Sequence, residues 1–301
     1  ADGRSPTALN WMRGFIDAGH EVHLISTFPA QPELELASLH SVSLAFSGAA
    51  GAGRQASRRA RLVKALTTAG MRTRVRQLLG GWTLRRAARQ IDKLISGIQP
   101  DIVHALRIPF EGMVAAQADI KAPLVVSVWG NDFTLHAPSS NALGRLTRAT
   151  LSRVDALLAD CARDLRMAGE WGFDDRKPQA VFPGGGGIDT DVFYPPAQII
   201  EQPVVINPRG LRAYVRNDTF FAAIPFVLET IPNARFICPA MAGEPEAEAL
   251  VAASGIADAV SLLPPQTQSQ MAKLYRRARV AVSPSEHDGT PNTLLEALAC
   301  G

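Results

Sequence analysis

Near the end of the chain an acidic pair stands where it could hold one ligand. Asp288 lies in the loop Ser283-Pro284-Ser285-Glu286-His287-Asp288-Gly289-Thr290, and Glu296 follows after seven intervening residues, inside a helix that opens at Pro291. Backbone N–H groups at a helix start have no intrahelical acceptor and offer a place for a phosphate. Carboxylates beside a diphosphate would repel it, so Asp288 and Glu296 suit the hydroxyls of a ribose or a sugar. By residue type alone the pair reads equally well as a capped loop with a partly exposed glutamate beyond it.

The elements that must position these residues alternate along the chain. Ser5-Pro6 signals a helix start with a capping hydroxyl, Leu9, Met12, Phe15 and Ile16 recur at helical spacing, and Gly19 closes the helix. A strand follows at 21–26. Further helices are expected over 91–98, 112–118 and 143–154, and strands over 102–106, 124–129 and 156–159. The run Phe182-Pro183-Gly184-Gly185-Gly186-Gly187 suits no element interior and marks a break. A second alternation begins at Val204, with strands over 234–238, 260–263 and 280–283 and helices over 218–229, 245–254, 268–277 and 291–299. Continuous apolar strands between helices predict an α/β fold: two Rossmann-like domains with parallel sheets, 1–182 and 183–301, and a ligand cleft between them. Residue 5 already caps a helix with no strand before it, and Gly301 falls at a helix end. The chain therefore reads as a fragment lacking a first strand and some C-terminal elements.

Composition narrows the class. With 301 residues, 47% of them apolar and 20% charged, the chain can bury a core, which excludes a mainly disordered protein. No run approaches the ~20 apolar residues of a membrane span, and Ala1 to Ser5 carry no apolar signal core. Cys161, Cys238 and Cys300 lie far apart, as reduced thiols of a cytoplasmic protein would. Only 6% of residues are aromatic, which disfavours a nucleic-acid binder built on stacking. Charge is uneven: residues 54–93 hold twelve basic residues and one acid, Asp92. Arg58, Arg59, Arg61, Lys64, Arg72, Arg74 and Arg76 alternate with apolar residues, a pattern that suits an anionic membrane surface or, equally, a solvated helix face.

The segment from Asp288 to Glu296, with Gly289, Thr290, Pro291 and Asn292 between them, resembles the donor-site motif of family 4 glycosyltransferases. These are retaining enzymes of the GT-B architecture, whose motif is an acid, seven residues and a Glu. The first acid there is more often Glu, so Asp288 is a departure. Gly19-His20-Glu21-Val22-His23, Asp101-Ile102-Val103-His104, Trp129-Gly130-Asn131-Asp132 and Gly187-Ile188-Asp189 are similar to other family segments, with Trp129 where His is common and Leu106 where a second His often stands.

The resemblance implies transfer of a sugar from a nucleotide-diphosphate sugar to a hydroxyl acceptor. Arg209 follows the first strand of the second domain, where the family places an Arg against the diphosphate. No Lys follows it; Arg212 and Arg216 are the cations at hand, and Tyr214 holds the commonest Lys spacing. Asp288 would hold sugar hydroxyls and Glu296 the nucleotide ribose. His104 would meet the acceptor or donor sugar, Gly3 would let backbone approach the phosphate, and Asp132 would position acceptor hydroxyls. Each of these three reads equally as structure: a core histidine, a turn and a helix cap. Neither cofactor nor metal is expected, since no His, Asp or Glu cluster has ligand spacing and the cations can hold the diphosphate. The partners expected are the nucleotide-sugar and a hydroxyl acceptor, with residues 54–93 favouring a lipid-linked or anionic one at the inner membrane face. Nucleic acid is not expected. Alternatives are a nucleotide-sugar epimerase on the same architecture and a non-catalytic nucleotide- or sugar-binding homologue. A dehydrogenase is disfavoured, because no Gly-x-Gly-x-x-Gly follows a strand with an acid downstream.

Overall fold

The computed structural model describes residues 1–42, 69–183, 186–198 and 201–301, and for 69–83 the backbone alone. The chain divides into two compact units, Ala1–Gly187 and Ile188–Gly301.

The first unit runs α1 (Pro6–Asp17), β1 (His23–Ser26), β2 (Ser38–Ser41) and the long α2 (Ala69–Ile98). It continues through β3 (Val103–Leu106), an irregular turn at Ile108–Gly112, the single-turn α3 (Met113–Ala115), β4 (Leu124–Val128) and a second irregular turn at Asp132–His136. α4 (Asn141–Arg153), β5 (Ala156–Ala159), α5 (Ala162–Glu170) and β6 (Gln179–Val181) complete it. β1 pairs with β2, while β3, β4, β5 and β6 lie side by side in that order, every pair parallel. Leu124, Val126 and Val128 of β4 are each no more than 1% exposed, as expected of a central strand covered on both faces. Asp155 pins it: its carboxylate accepts from the Leu124 N–H at 2.8 Å, and that bond, with Arg153 nearby, holds the carboxyl below its usual pKa.

Where side chains of α2 are described, Leu84, Ala87, Ala88, Ile91 and Ile95 are buried, and Arg85, Arg86, Arg89 and Lys93 are exposed. That spacing puts apolar residues on the core stripe and cations in solvent. The other basic residues, Arg54 to Arg76, lie outside the residues whose side chains are described.

The second unit holds β7 (Val204–Ile206), α6 (Asn217–Thr230), β8 (Arg235–Cys238), α7 (Pro245–Ser254), β9 (Val260–Leu262), α8 (Gln268–Tyr275), β10 (Val280–Ala281) and α9 (Asn292–Ala299). Its parallel sheet has the order β10-β7-β8-β9. From β7 the chain winds outward through β8 and β9, then returns to place β10 on the other side of β7. The strand order therefore reverses between β7 and β10. Crevices for ligands form at such a reversal, beyond the carboxyl ends of the strands. A core of Phe220, Phe221, Ile224, Phe236 and Met241 packs α6 on the sheet; burying one such side chain contributes about 1.5–3 kcal/mol.

Several expectations need correction. Ser5 occupies the N-cap position with Pro6 first in the helix, but its side chain makes no capping bond. The helix expected over 91–98 is the end of the 30-residue α2. The one expected over 112–118 shrinks to α3, because the turn at Ile108–Gly112 takes up its start. β2, α5 and β6 are elements the apolar pattern did not signal; β2 and β6 are short and half-exposed, and α5 is amphipathic but only nine residues long.

Candidate functional site

The second unit brings seven of the expected residues, Arg209, Asp288, Gly289, Thr290, Pro291, Asn292 and Glu296, to the reversal point. Arg209 leaves β7 on a turn built by two buried asparagines: Asn207 Oδ1 accepts from the Arg209 N–H at 3.2 Å, and Asn207 Nδ2 donates to Asn217 Oδ1 at 2.9 Å. Asn217 Nδ2 in turn donates to the Gly210 carbonyl. The guanidinium is therefore aimed by backbone fixed before any ligand arrives. It donates to Asp288 Oδ2 at 2.5 Å and to Thr293 Oγ1 at 3.3 Å, while its Nε is buried with no partner. Arg209 is 8% exposed, which is unusual for an arginine and needs the paired carboxylate.

Asp288 belongs to the loop 283–291 between β10 and α9. Because β10 and β7 are parallel neighbours, this loop and the Arg209 turn leave the sheet at the same end. Within the loop, Ser283 Oγ and His287 Nδ1 are also buried without a hydrogen-bond partner. Gly289, Thr290 and Pro291 are half-buried, and Pro291 caps α9, whose first helical residue is Asn292. The start of α9 is the positive end of the helix dipole, the arrangement that favours negative charge.

Glu296 sits one turn further along α9. Tyr275, 3% exposed at the end of α8, donates its hydroxyl to Glu296 Oε2 at 3.2 Å. Burial raises the Glu296 carboxyl to a pKa of about 7, against the lowering effect of that hydrogen bond. Burial, then the neighbouring Glu296, pushes the Tyr275 hydroxyl far above its usual range, so it stays a donor. Tyr275, Thr293 and Asn207 were not singled out from sequence. A buried phenol is spaced like any apolar core residue and gives no motif.

Arg212 and Arg216 behave differently from Arg209. Arg216 is exposed and engaged on both sides, with Asp218 at 2.7 and 2.9 Å and Glu286 at 3.1 Å. Arg212 is exposed and donates to the Tyr214 hydroxyl at 3.0 Å. Neither has a hydrogen bond to Asp288 or Glu296.

In the first unit His104 lies on β3 with Nε2 2.8 Å from Ser127 Oγ, edge-on to the Trp11 ring at 5.1 Å. Burial lowers its pKa to about 4, so the ring is neutral near pH 7. Asp132 is 1% exposed and fully used: Oδ1 accepts from Arg107 at 2.7 Å, and Oδ2 from the Ile108 and Trp129 N–H groups at 3.1 and 3.2 Å. It ties the loop after β4 to the end of β3, which makes it a positioning group. Arg107, missed in the sequence, holds φ at 80°, a region L-residues seldom occupy. Gly3 is buried, its N–H already donates to Ser26 Oγ at 3.1 Å, and a Cβ there would lie 2.8 Å from Ala30 Cβ. Glycine at this position is required by packing. At the other end of the unit Gly186 has φ +107°, and a Cβ on it would meet the Trp11 amide nitrogen at 2.7 Å.

Asp160, Cys161 and Asp164, which their spacing did not single out, bring ligand-type atoms within 4.8 Å of one another. The Arg163 guanidinium already bonds Asp164 at 2.7 Å and supplies positive charge there. No described helix is long and apolar enough to cross a membrane.

Comparison with known proteins fits this geometry. A family described as "Glycosyl transferase 4-like domain" matches residues 2–185, and one described as "Glycosyl transferases group 1" matches residues 203–301. The chain belongs to the family 4 glycosyltransferases. Two curated members are similar in sequence, both named D-inositol 3-phosphate glycosyltransferase. The one from Mycobacteroides abscessus is 34% identical over 130 residues, covering 38% of this chain and 28% of the relative. The one from Geodermatophilus obscurus is 29% identical over 184 residues, covering 54% of this chain and 40% of the relative. The match thus spans less than half the length of either. Among solved structures, sucrose-phosphate synthase from Thermosynechococcus elongatus aligns with a TM-score of 0.65 at 16% identity, over 98% of this chain and 72% of that one. HepE from Anabaena, solved with UDP-glucose, gives a TM-score of 0.56 at 14% identity, over 71% of this chain and 61% of that one. The pneumococcal O-GlcNAc transferase GtfA, solved with UDP and GlcNAc, gives 0.55 at 17%, over 69% and 42%. At these identities the likeness concerns the fold, the parallel α/β arrangement of GT-B glycosyltransferases.

Proposed function

We propose that this glycosyltransferase moves a sugar from a nucleoside-diphosphate sugar to a hydroxyl acceptor with retention at the anomeric carbon. The observation that carries the reading is the convergence of Arg209, Asp288, Thr293 and Glu296 where the strand order reverses, beside the amides at the start of α9. The diphosphate would lie against Arg209 and those amides, the sugar hydroxyls against Asp288 and the ribose against Glu296. As the bond from anomeric carbon to phosphate oxygen breaks, charge builds on the leaving diphosphate. A fixed, buried guanidinium stabilises it without rearranging first. The acceptor oxygen bonds to the same face of that carbon, and its proton passes to the departing phosphate oxygen. This chemistry draws on cationic side chains, and the reading assigns no metal. His104, neutral, would hydrogen-bond a sugar hydroxyl.

The neighbours solved with UDP or UDP-glucose support a uridine diphosphate donor. The relatives' name supports a hydroxylated acceptor. Residues 54–93 would hold the protein to an anionic surface on the cytoplasmic side; flotation with anionic liposomes, lost in high salt, tests that.

The deciding experiment is a melting panel with UDP, GDP, ADP, CMP, dTDP and NAD. A nucleotide at about a hundred times its Kd adds about 2.7 kcal/mol. The expected result is a rise with UDP that Glu296→Ala abolishes. A rise with NAD alone, or with no nucleotide at all, overturns the reading.

A further inference from the structure

The reaction proposed above gives no part to Tyr275, a phenol 3% exposed at the end of α8. Its ring lies against Phe193, with centroids 6.1 Å apart. The Cys300 thiol, one turn beyond Glu296, reaches the Ala272 carbonyl of α8 at 3.9 Å. The end of α9 is thereby joined to α8, and the phenol has little room to move.

The 3.2 Å bond from this phenol occupies Glu296 Oε2. Oε1 has no hydrogen-bond partner among the described residues and is not sealed from solvent. A glutamate side chain has three rotatable bonds, and a ligand that needs a loose one must supply its ordering. A rigid donor on Oε2 removes that cost beforehand and leaves Oε1 for the ligand. Burial, then the adjacent carboxylate, keeps the phenol protonated, so it donates throughout the range in which Glu296 ionises. The other ionisable groups acting on the pair are Arg209, in the turn after β7, and Cys300, on which Arg276 acts in turn.

We propose that Tyr275 is a positioning residue: it holds Glu296 Oε2 so that Oε1 is aimed at the ribose hydroxyls. Through that carboxylate it sets the preference for ribose over deoxyribose. The proposal rests on the donor reading above and adds the residue that orients its ribose contact.

The test measures binding of UDP and of dideoxyuridine diphosphate to the full chain by calorimetry, from about pH 5 to 8. The parent should prefer UDP. Tyr275→Phe keeps the ring, removes one hydroxyl, and should cut that preference about tenfold. Without its donor the carboxyl ionises less readily, so the pH at which UDP affinity rises should move up by about one unit. Comparison with the parent cancels the titration of UDP's own phosphate. In the Glu296→Gln background the same change should move no pH midpoint. Circular dichroism checks the fold of each variant. Should Tyr275→Phe not fold, fluorotyrosine at all three tyrosines gives a stronger donor, and the midpoint should then move down.

One outcome overturns this proposal alone. UDP binds and Glu296→Ala abolishes it, yet Tyr275→Phe weakens both nucleotides equally and leaves the pH midpoint in place; the phenol then serves packing only. An unmoved midpoint with fluorotyrosine has the same meaning. If the parent binds no UDP, or binds the dideoxy compound as tightly, the ribose reading of Glu296 fails and takes this proposal with it.

Discussion

Arg209 donates to Asp288 at 2.5 Å, joining the turn after β7 to a loop 79 positions later in the chain. The bond crosses the point where the sheet reverses its order, and it lies mostly out of solvent. The same cation that neutralises the acid would, on the function proposed above, also face the diphosphate of the donor.

Removing that cation should harm both stability and binding. Arg209→Ala takes the guanidinium away from Asp288 in a low-dielectric setting, a loss of about 3–5 kcal/mol for a buried pair. Arg209→Lys keeps the charge but cannot bond Thr293 and Asp288 through separate fork nitrogens. Chemical denaturation should rank the parent above Lys and Lys above Ala, and nucleotide affinity should follow the same order. Equal stability of all three would show that the pair contributes nothing.

Arg216 tests the opposite case. Its partners Asp218 and Glu286 are exposed, and exposed pairs contribute little to stability. Arg216→Ala should leave the melting temperature unchanged. Loss of nucleotide affinity in that variant would mean that Arg216 releases its acids and reaches the diphosphate; unchanged affinity would leave Arg209 to hold it.

Glu296 should make the protein pH-sensitive. Its folded pKa of about 7 stands above the ordinary 4.5, so the folded state holds this proton more tightly than the unfolded state does. Stability is therefore greatest below about pH 4.5 as far as this group is concerned, and falls as pH rises toward 7. Glu296→Gln should abolish that fall and be the more stable protein near pH 8. Nucleotide affinity of the parent should rise over the same range, as the carboxylate that accepts ribose hydroxyls forms. Melting curves from about pH 5 to 8, the window in which the group titrates, check both.

His104 has the reverse sign. Burial lowers its pKa from 6.5 to about 4, so the unfolded state takes up the proton first. Its contribution is present above pH 6.5 and is lost as pH falls through about 4. His104→Asn should lessen acid destabilisation in that window. A nuclear magnetic resonance titration showing this imidazole protonating near its ordinary 6.5 would contradict the burial argument.

Gly3→Ala should destabilise the first unit by about 1–3 kcal/mol, the usual cost of overpacking. The added Cβ would lie 2.8 Å from Ala30 Cβ and 3.0 Å from Leu24 Cδ2, and neither neighbour can swing away freely. Urea denaturation measures it. An unchanged midpoint would show that the loop yields.

Much of this protein was legible in its sequence, for a local reason. Strand and helix alternation survives in short windows, because a buried parallel strand must be apolar throughout and a covering helix must repeat at helical spacing. β4, α7 and α9 were read within a residue of their ends on that basis. The motif from Asp288 to Glu296 was equally local, and it pointed to the family. What sequence could not say is which side chains meet. Arg209, Arg212 and Arg216 look alike in the chain, yet one is buried against Asp288 and two are exposed on other partners. Tyr275 reached Glu296 only because α8 packs beside α9, and the contacts of Ala30 and Leu24 around Gly3 are not visible in the chain. Residue types and periodicity determine which elements form and what chemistry they carry. Burial and the order of strands in the sheet determine which of those groups are desolvated, paired and brought together, because those depend on neighbours distant in the chain.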